Sequence, residues 1–330
     1  MAQVKLKSRE NTLLDIFRVL ACVLVVTIHM PEMFSTEWIN VFWGEWLVRF
    51  AVPFFFVCTG FFFEQTPRKG SALKRMAWLM AFAYVLYLPA VLEGAEVFSQ
   101  VLSKLRWNLV IGYEHLWYIS ACVESMILWI LIEKVGMLSK IFQKVRVPTA
   151  VGLILLGALL DEHYRLSTWP LLHRLGDFLL NFGGPRNFLF MGFPLMLLGG
   201  AIAEHVERVR RIPLWGIVSA SIGLWILAFL ECGWLYTHLG SDISNDLSFF
   251  GWMPALCLVV LSLKCNLPIS ERLARSLRRA TLYVYILHPL MAMLIGRYLV
   301  LSPVALCLAT LGLCFAVAFL LEKQFAAKRP

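Results

Sequence analysis

The chain has 330 residues, 60% of them hydrophobic and 15% charged, with a mean hydropathy of +0.74. A water-soluble domain carries roughly 25% charged residues, so a protein bathed only in water is excluded. The formal charge is +9, but its basic residues fall in short segments between apolar runs, which excludes a nucleic-acid surface.

The apolar runs predict helices at 13–30, 46–63, 76–92, 116–132, 148–160, 188–203, 213–230, 249–263, 281–300 and 303–321. The fold expected is all-α, a polytopic membrane bundle of about ten transmembrane helices forming one domain over 1–330. Pro148, Pro213 and Pro303 stand where a first helical residue has no N–H partner to lose. The run 148–160 is short for a span that needs about 20 residues. The first run follows a basic start but contains Asp15 and Arg18 and no small-residue cleavage pattern, so it reads as a retained helix rather than a signal peptide.

Alternate crossing from a cytosolic N-terminus places 22 of the 30 Lys and Arg on the cytosolic side. They are Lys5, Lys7, Arg9, Arg68, Lys69, Lys74, Arg75, Lys134, Lys140, Lys144, Arg146, Arg208, Arg210, Arg211, Lys264, Arg272, Arg275, Arg278, Arg279, Lys323, Lys328 and Arg329. The outer loops keep Lys104, Arg106, Arg165, Arg174 and Arg186, the asymmetry of the positive-inside rule. The expected location is therefore the cytoplasmic membrane, with both termini (about 1–12 and 322–330) in the cytosol. Two substantial outer loops are expected, 161–187 and 231–248. The second has no Lys or Arg but contains Trp234, Tyr236, Asp242 and Asp246, which reads either as an interfacial aromatic belt or as a face for a hydroxylated ligand. Six of the eight cysteines lie inside apolar runs and no C-x-x-C pair occurs, so neither a disulfide framework nor a metal site is expected.

Ionisable groups inside apolar spans are costly and face a cavity or one another. Arg18 and His29 are eleven positions apart, which puts them on nearly one helix face about 16 Å apart along the axis. Asp15 can hold the Arg18 guanidinium by an i,i+3 contact. Arg49 lies near the outer end of the second run at a depth comparable to His29, and His115 opens the fourth. Arg49 fits either an oxyanion-stabilising cation or an interface anchor. Glu124 lies mid-span and fits either a donor-tunnel wall or a structural pairing with Arg18 or another helix. His288 precedes Pro289, which deprives the carbonyl of Tyr285 of its donor, so it fits either a cavity wall or a satisfied core histidine.

Arg18 with ten residues before His29 resembles the R-x10-H signature of the acyltransferase-3 family of integral membrane O-acyltransferases. Matches follow in order at Val52-Pro53-Phe54-Phe55-Phe56-Val57-Cys58-Thr59-Gly60-Phe61, His115-Leu116-Trp117-Tyr118, Gly192-Phe193-Pro194 with Leu198-Gly199, and Tyr283-Val284-Tyr285-Ile286-Leu287-His288-Pro289. Together they span nearly the whole chain. Cys58-Thr59 departs from the small residue and Ser usual before the Gly, although Thr keeps the hydroxyl. The resemblance implies transfer of an acyl group, acetyl by family habit, from cytosolic acetyl-CoA or another acyl-CoA to a hydroxyl of a cell-surface or lipid-linked glycan. It makes His29 the catalytic residue and Arg18 its partner nearer the donor, with Asp15, Arg49, His115, Glu124 and His288 as candidate supporting residues. No permanently bound cofactor and no metal are implied; the partners are acyl-CoA, the glycan acceptor and membrane lipids, with no nucleic acid. An imidazole can take the acceptor's proton or carry the acyl group itself, and the spacing does not choose between the two.

The alternative reading is a transporter of a small amino acid such as serine, since intramembrane His, Arg and Glu also serve proton-coupled carriers. No internal repeat of the kind many carriers show is visible.

Overall fold

The computed structural model describes residues 11–30 and 32–327. Of the basic residues that set the expected orientation, Lys5, Lys7, Arg9, Lys328 and Arg329 lie outside the described residues. Every regular element among the described residues is helical. In order they are α1 (Thr12–Ile28), α2 (Glu37–Phe42), α3 (Ala51–Glu64), α4 (Lys69–Val91), α5 (Phe98–Ile111), α6 (Trp117–Lys134), α7 (Gly136–Asp161), α8 (Pro170–Leu180), α9 (Phe193–Glu204), α10 (Val206–Arg211), α11 (Leu214–Leu239), α12 (Met253–Ser262), α13 (Glu271–Tyr298) and α14 (Pro303–Ala327). Wide π-turns at Trp43–Leu47 and Phe188–Gly192 lead into α3 and α9.

Polar contacts tie the helix ends into two opposite layers. The first layer joins Asn11 to Ser262, Asp15 to Arg278, Lys69 to Glu133, Arg146 to Glu204 and Ser276 to Glu322. The second joins Arg49 and Arg186 to Asp246, and His163 to Glu231. Between these layers run most of the longer helices, α3, α6, α7, α11, α13 and α14 among them. Among the described residues six stretches are long and apolar enough to cross a membrane: Glu37–Glu64, Glu114–Lys134, Ser139–Asp161, Leu214–Leu239, Glu271–Tyr298 and Pro303–Lys323. Other helices are shorter or more charged: α1 has 17 residues, α12 has 10, and α4 opens on Lys69, Lys74 and Arg75. An all-helical fold with several membrane-crossing helices is thus established, with six segments among the described residues long and apolar enough to cross.

Three expectations are corrected. Pro148 does not open a helix but lies inside α7. The carbonyl it orphans is that of Lys144, and both residues are exposed, so solvent can satisfy the lost bond. The loop 161–187 contains α8, and 231–239 continues α11 instead of beginning a loop. Between α4 and α6 lies α5, which has no apolar run long enough to announce itself.

Lipid tails are as apolar as leucine, so burial of apolar surface alone does not join helices in a bilayer; close packing does. The tightest junction is α3 against α9. A Cβ on Gly60 would overlap the backbone carbonyl of Met196, and one on Gly199 would overlap that of Val57. Around this crossing Phe54, Phe56, Trp129, Leu195, Met196 and Leu197 are fully buried. The junction fixes α3, and α1 packs against both α3 and α13, leaving a hollow between them.

Candidate active site

The first residues of α1 are anchored before its functional face begins. Asn11 caps the helix by accepting a hydrogen bond from Leu14 N–H at 2.9 Å, and its own amide donates to the Ser262 carbonyl at 2.5 Å. Thr12 donates to the carbonyl of Leu267 at 2.8 Å. From this fixed end, Arg18, Cys22, Val25 and His29 line a cavity of about 360 Å³. Their spacing of four, three and four is one helix face. His29 is the residue that ends α1, its N–H donating to Val26 O at 3.2 Å.

At the Arg18 end, one carboxylate holds two cations. Arg18 donates to Asp15 Oδ1 at 2.7 Å and Arg278 to Asp15 Oδ2 at 3.1 Å, and Asp15 is 4% exposed. The Arg18 guanidinium also lies 4.9 Å from the centre of the Phe62 ring, a cation–π distance. Two cations against one anion leave this end of the cavity positive. A second cavity of about 450 Å³ shares Arg18, Phe55, Met76, Leu79 and Leu282 with the first and continues to Thr66 and Arg75. Arg18 therefore stands where two hollows meet, one leading toward the basic layer and one toward His29.

At the other end three imidazoles come together from three elements. The ring of His29 is 5.0 Å from that of His288 on α13 and 6.2 Å from that of His115, while His115 and His288 are 5.3 Å apart. His288 and His115 are buried, but His29 is exposed to the hollow. Both ring nitrogens of His115 and the Nε2 of His288 are buried without a hydrogen-bond partner, which is costly unless a substrate or a proton transfer uses them. Tyr285 donates to the His115 carbonyl, and Tyr118 and Thr59 share a hydrogen bond of 3.0 Å. The hydroxyl kept at Thr59 is thus in use beside the cavity wall.

The mouth is charged but balanced. Arg49 pairs with Glu45 and Asp246, and Arg186 Nε forms an ion pair with the other Asp246 oxygen at 3.0 Å. Arg49, Arg186 and Asp246 all line the His29 cavity. The loop bearing Asp246 is pinned by three carboxylates, two of them at the end of α7: Glu162 accepts from Ser244 N at 2.9 Å, Glu45 from Asn245 N at 2.8 Å and Asp161 from Leu247 N at 2.9 Å. Glu231 accepts from Phe249 N at 2.7 Å and Phe250 N at 3.0 Å. Charge-assisted bonds to backbone N–H groups are the stronger kind, so the loop is held rather than draped.

Of the residues singled out in the sequence, Arg18, His29, Arg49, His115 and His288 line one cavity, and Asp15 supports Arg18 from behind. Glu124 does not join them. It lines neither hollow and makes no ion pair with Arg18, whose carboxylate partner is Asp15. Arg186, Asp246 and Arg278 were visible only as loop or interface charges. Only Asp246 carried a local signal, as an acid in an outer loop rich in aromatics. Within that loop Trp234 is half-exposed and lies on α11 away from the cavity lining.

Fold and site together define an integral membrane protein whose helices enclose a polar passage with a guanidinium and an imidazole on one helix face. An acyltransferase domain family, acyltransferase 3, matches residues 11–323, and the chain belongs to that family. Among curated proteins it is 26% identical over 306 residues to an amino-acid racemase of Enterococcus faecalis, covering 88% of this chain and 42% of the relative. It is 24% identical over 298 residues to a serine/alanine racemase of Enterococcus gallinarum, covering 85% of this chain and 40% of the relative. The chain therefore spans about two fifths of the length of these relatives. No solved structure matches.

Proposed function

We propose that this acyltransferase takes an acyl group, acetyl in the simplest case, from acyl-CoA entering at the Arg75 and Arg18 end and delivers it to a hydroxyl presented at the His29 end. The acceptor is a sugar of a cell-surface or lipid-linked glycan. The observation that carries the reading is the shared cavity face, with Arg18 at the meeting point of two hollows and His29 open to one of them.

In the transfer, the acceptor oxygen forms a bond to the acyl carbon and the thioester C–S bond breaks. A ring nitrogen of His29 takes the hydroxyl proton and returns it to the departing thiolate. A two-step route, with the acyl group resting on the His29 nitrogen, needs the same residue. Arg18 holds the donor by its charge, and Asp15 keeps the guanidinium in position. Arg49, neutralised by Glu45 and Asp246, shapes the mouth.

Membranes containing the protein are expected to move radiolabel from acetyl-CoA into glycan or lipid-linked sugar. Replacing His29→Ala should lower that rate by about 100-fold or more, the usual worth of a positioned acid–base group. Unchanged transfer at normal protein levels removes His29 from the reaction.

A second reading, carriage of a small amino acid such as serine, is favoured by the relatives, which are named for reactions of amino acids. Racemisation itself is not carried over, because this chain matches the smaller part of those proteins. Accumulation of serine in vesicles lacking any acyl donor would select the carrier.

A further inference from the structure

The break in α13 at Pro289 is repaired in an unusual way. Proline has no N–H for the carbonyl of Tyr285, four residues back. That carbonyl instead accepts from the Nδ1 of His288 at 2.9 Å, with Val284 O also within reach at 3.1 Å. The next rung is bridged from α4, where the Tyr87 hydroxyl donates to Ile286 O at 2.8 Å and accepts from Leu290 N at 3.3 Å. Both possible partners of His288 Nδ1 are carbonyls, so Nδ1 carries the hydrogen and Nε2 carries a lone pair. This Nε2 is fully buried, has no partner and belongs to a side chain lining the His29 cavity.

We propose that His288 is a positioning residue for His29: its Nε2 accepts the N–H of the His29 ring and turns the other His29 nitrogen toward the acceptor hydroxyl. The inference rests on the acyl-transfer reading for its role, though not for its test. Rings 5.0 Å apart come within hydrogen-bond reach once a nitrogen of each points along the line between them. His29 faces the open hollow and is free to turn; His288, locked by its Nδ1 bond, is not. When His29 takes the acceptor's proton, both its nitrogens carry hydrogen, and the one facing α13 stays bonded to Nε2. No bond to His288 is made or broken. His115, the third imidazole, lies 5.3 Å from His288 and 6.2 Å from His29, so His288 is the nearer partner.

Two amide replacements separate positioning from helix repair. His288→Asn can keep the donor at Nδ1 and the bond to Tyr285 O but has no atom at Nε2. His288→Gln can place its amide oxygen where Nε2 stood. The proposal expects H288N to lose about 100-fold in kcat with KM for acyl-CoA unchanged, while H288Q stays within about tenfold of the parent. H288N should melt as the parent does in detergent, and H288Q, which gives up the bond to Tyr285 O, somewhat lower. An independent readout is the rate at which diethyl pyrocarbonate modifies His29, followed by mass spectrometry, which needs neither donor nor acceptor. There H288N should slow modification severalfold and H288Q should not. Parental kcat in H288N, or equal His29 modification rates in the parent and both variants, would overturn the proposal, and the second result would do so whether or not acyl transfer occurs.

Discussion

Asp15 shows how much one side chain can carry. Its carboxylate is nearly out of contact with solvent and holds Arg18 and Arg278 from two helices, 263 positions apart in the second case. Removing it leaves two cations beside apolar walls with no counter-charge, the costly way to break a buried pair. Asp15→Ala should therefore destabilise the protein by about 3 kcal/mol, and Asp15→Asn by less, because the amide oxygen still accepts one hydrogen bond. Thermal melting in detergent reads the difference; equal melting of D15A and the parent would show that the pair adds no stability. The i,i+3 contact of Asp15 with Arg18 and the common face of Arg18 and His29 were legible in the sequence, since both follow from the period of one helix. Arg278, Arg186 and Asp246 were not, because their place at the cavity depends on which helices become neighbours. The same limit hid the partner of Arg49, which is Asp246 at 197 positions rather than anything nearby apart from Glu45.

Among the elements, the α3–α9 crossing decides where the cavity can be. Gly60 and Gly199 belong to segments that the sequence marks by apolar character and motif, yet nothing local says that they meet. Their contact is backbone on backbone, so no side chain can move aside for an added methyl group. Gly60→Ala or Gly199→Ala should cost about 3 kcal/mol, the upper range for overpacking, and loosen the packing of α1 against α3. Melting temperature and yield of monodisperse protein measure this, and a normal melt for both variants would mean that the two helices can separate freely. Helix type was readable throughout from apolar runs, but ends were less so. Pro148 looks like a helix start on local chemistry, and only the exposed position of the Lys144 carbonyl explains why α7 continues through it. Helices α5 and α8 escaped notice for a related reason. Each is short, and each keeps one apolar face exposed, Phe98 and Leu102 in one and Leu171, Leu175 and Phe178 in the other, so neither has the uniform apolarity that marks a span.

For the whole molecule, the two polar layers differ in charge in a way that orients the passage. The layer containing Lys74, Arg75 and Arg272 is rich in cations and its Asp15 is shared by two of them, whereas at the other layer the cations Arg49, Arg165 and Arg186 are each matched by Glu45, Asp246 or Glu162. The proposed transfer needs the Arg18 end toward the cytosol, where acyl-CoA is made available, and the His29 end toward the outside, the orientation that the positive-inside rule predicts. This orientation can be read without any activity. All eight native cysteines are buried or partly buried, so they compete weakly for a bulky thiol reagent. Ser71 and Ser99 are exposed at opposite layers, the first near Lys69 and the second at the start of α5. A membrane-impermeant maleimide should label Ser99→Cys in intact cells and Ser71→Cys only after the membrane is opened. The reverse pattern would turn the passage around, placing Arg18 outside; donor entry from the cytosol would then have to occur past the mouth, where Arg49 and Arg186 are already matched by Glu45 and Asp246.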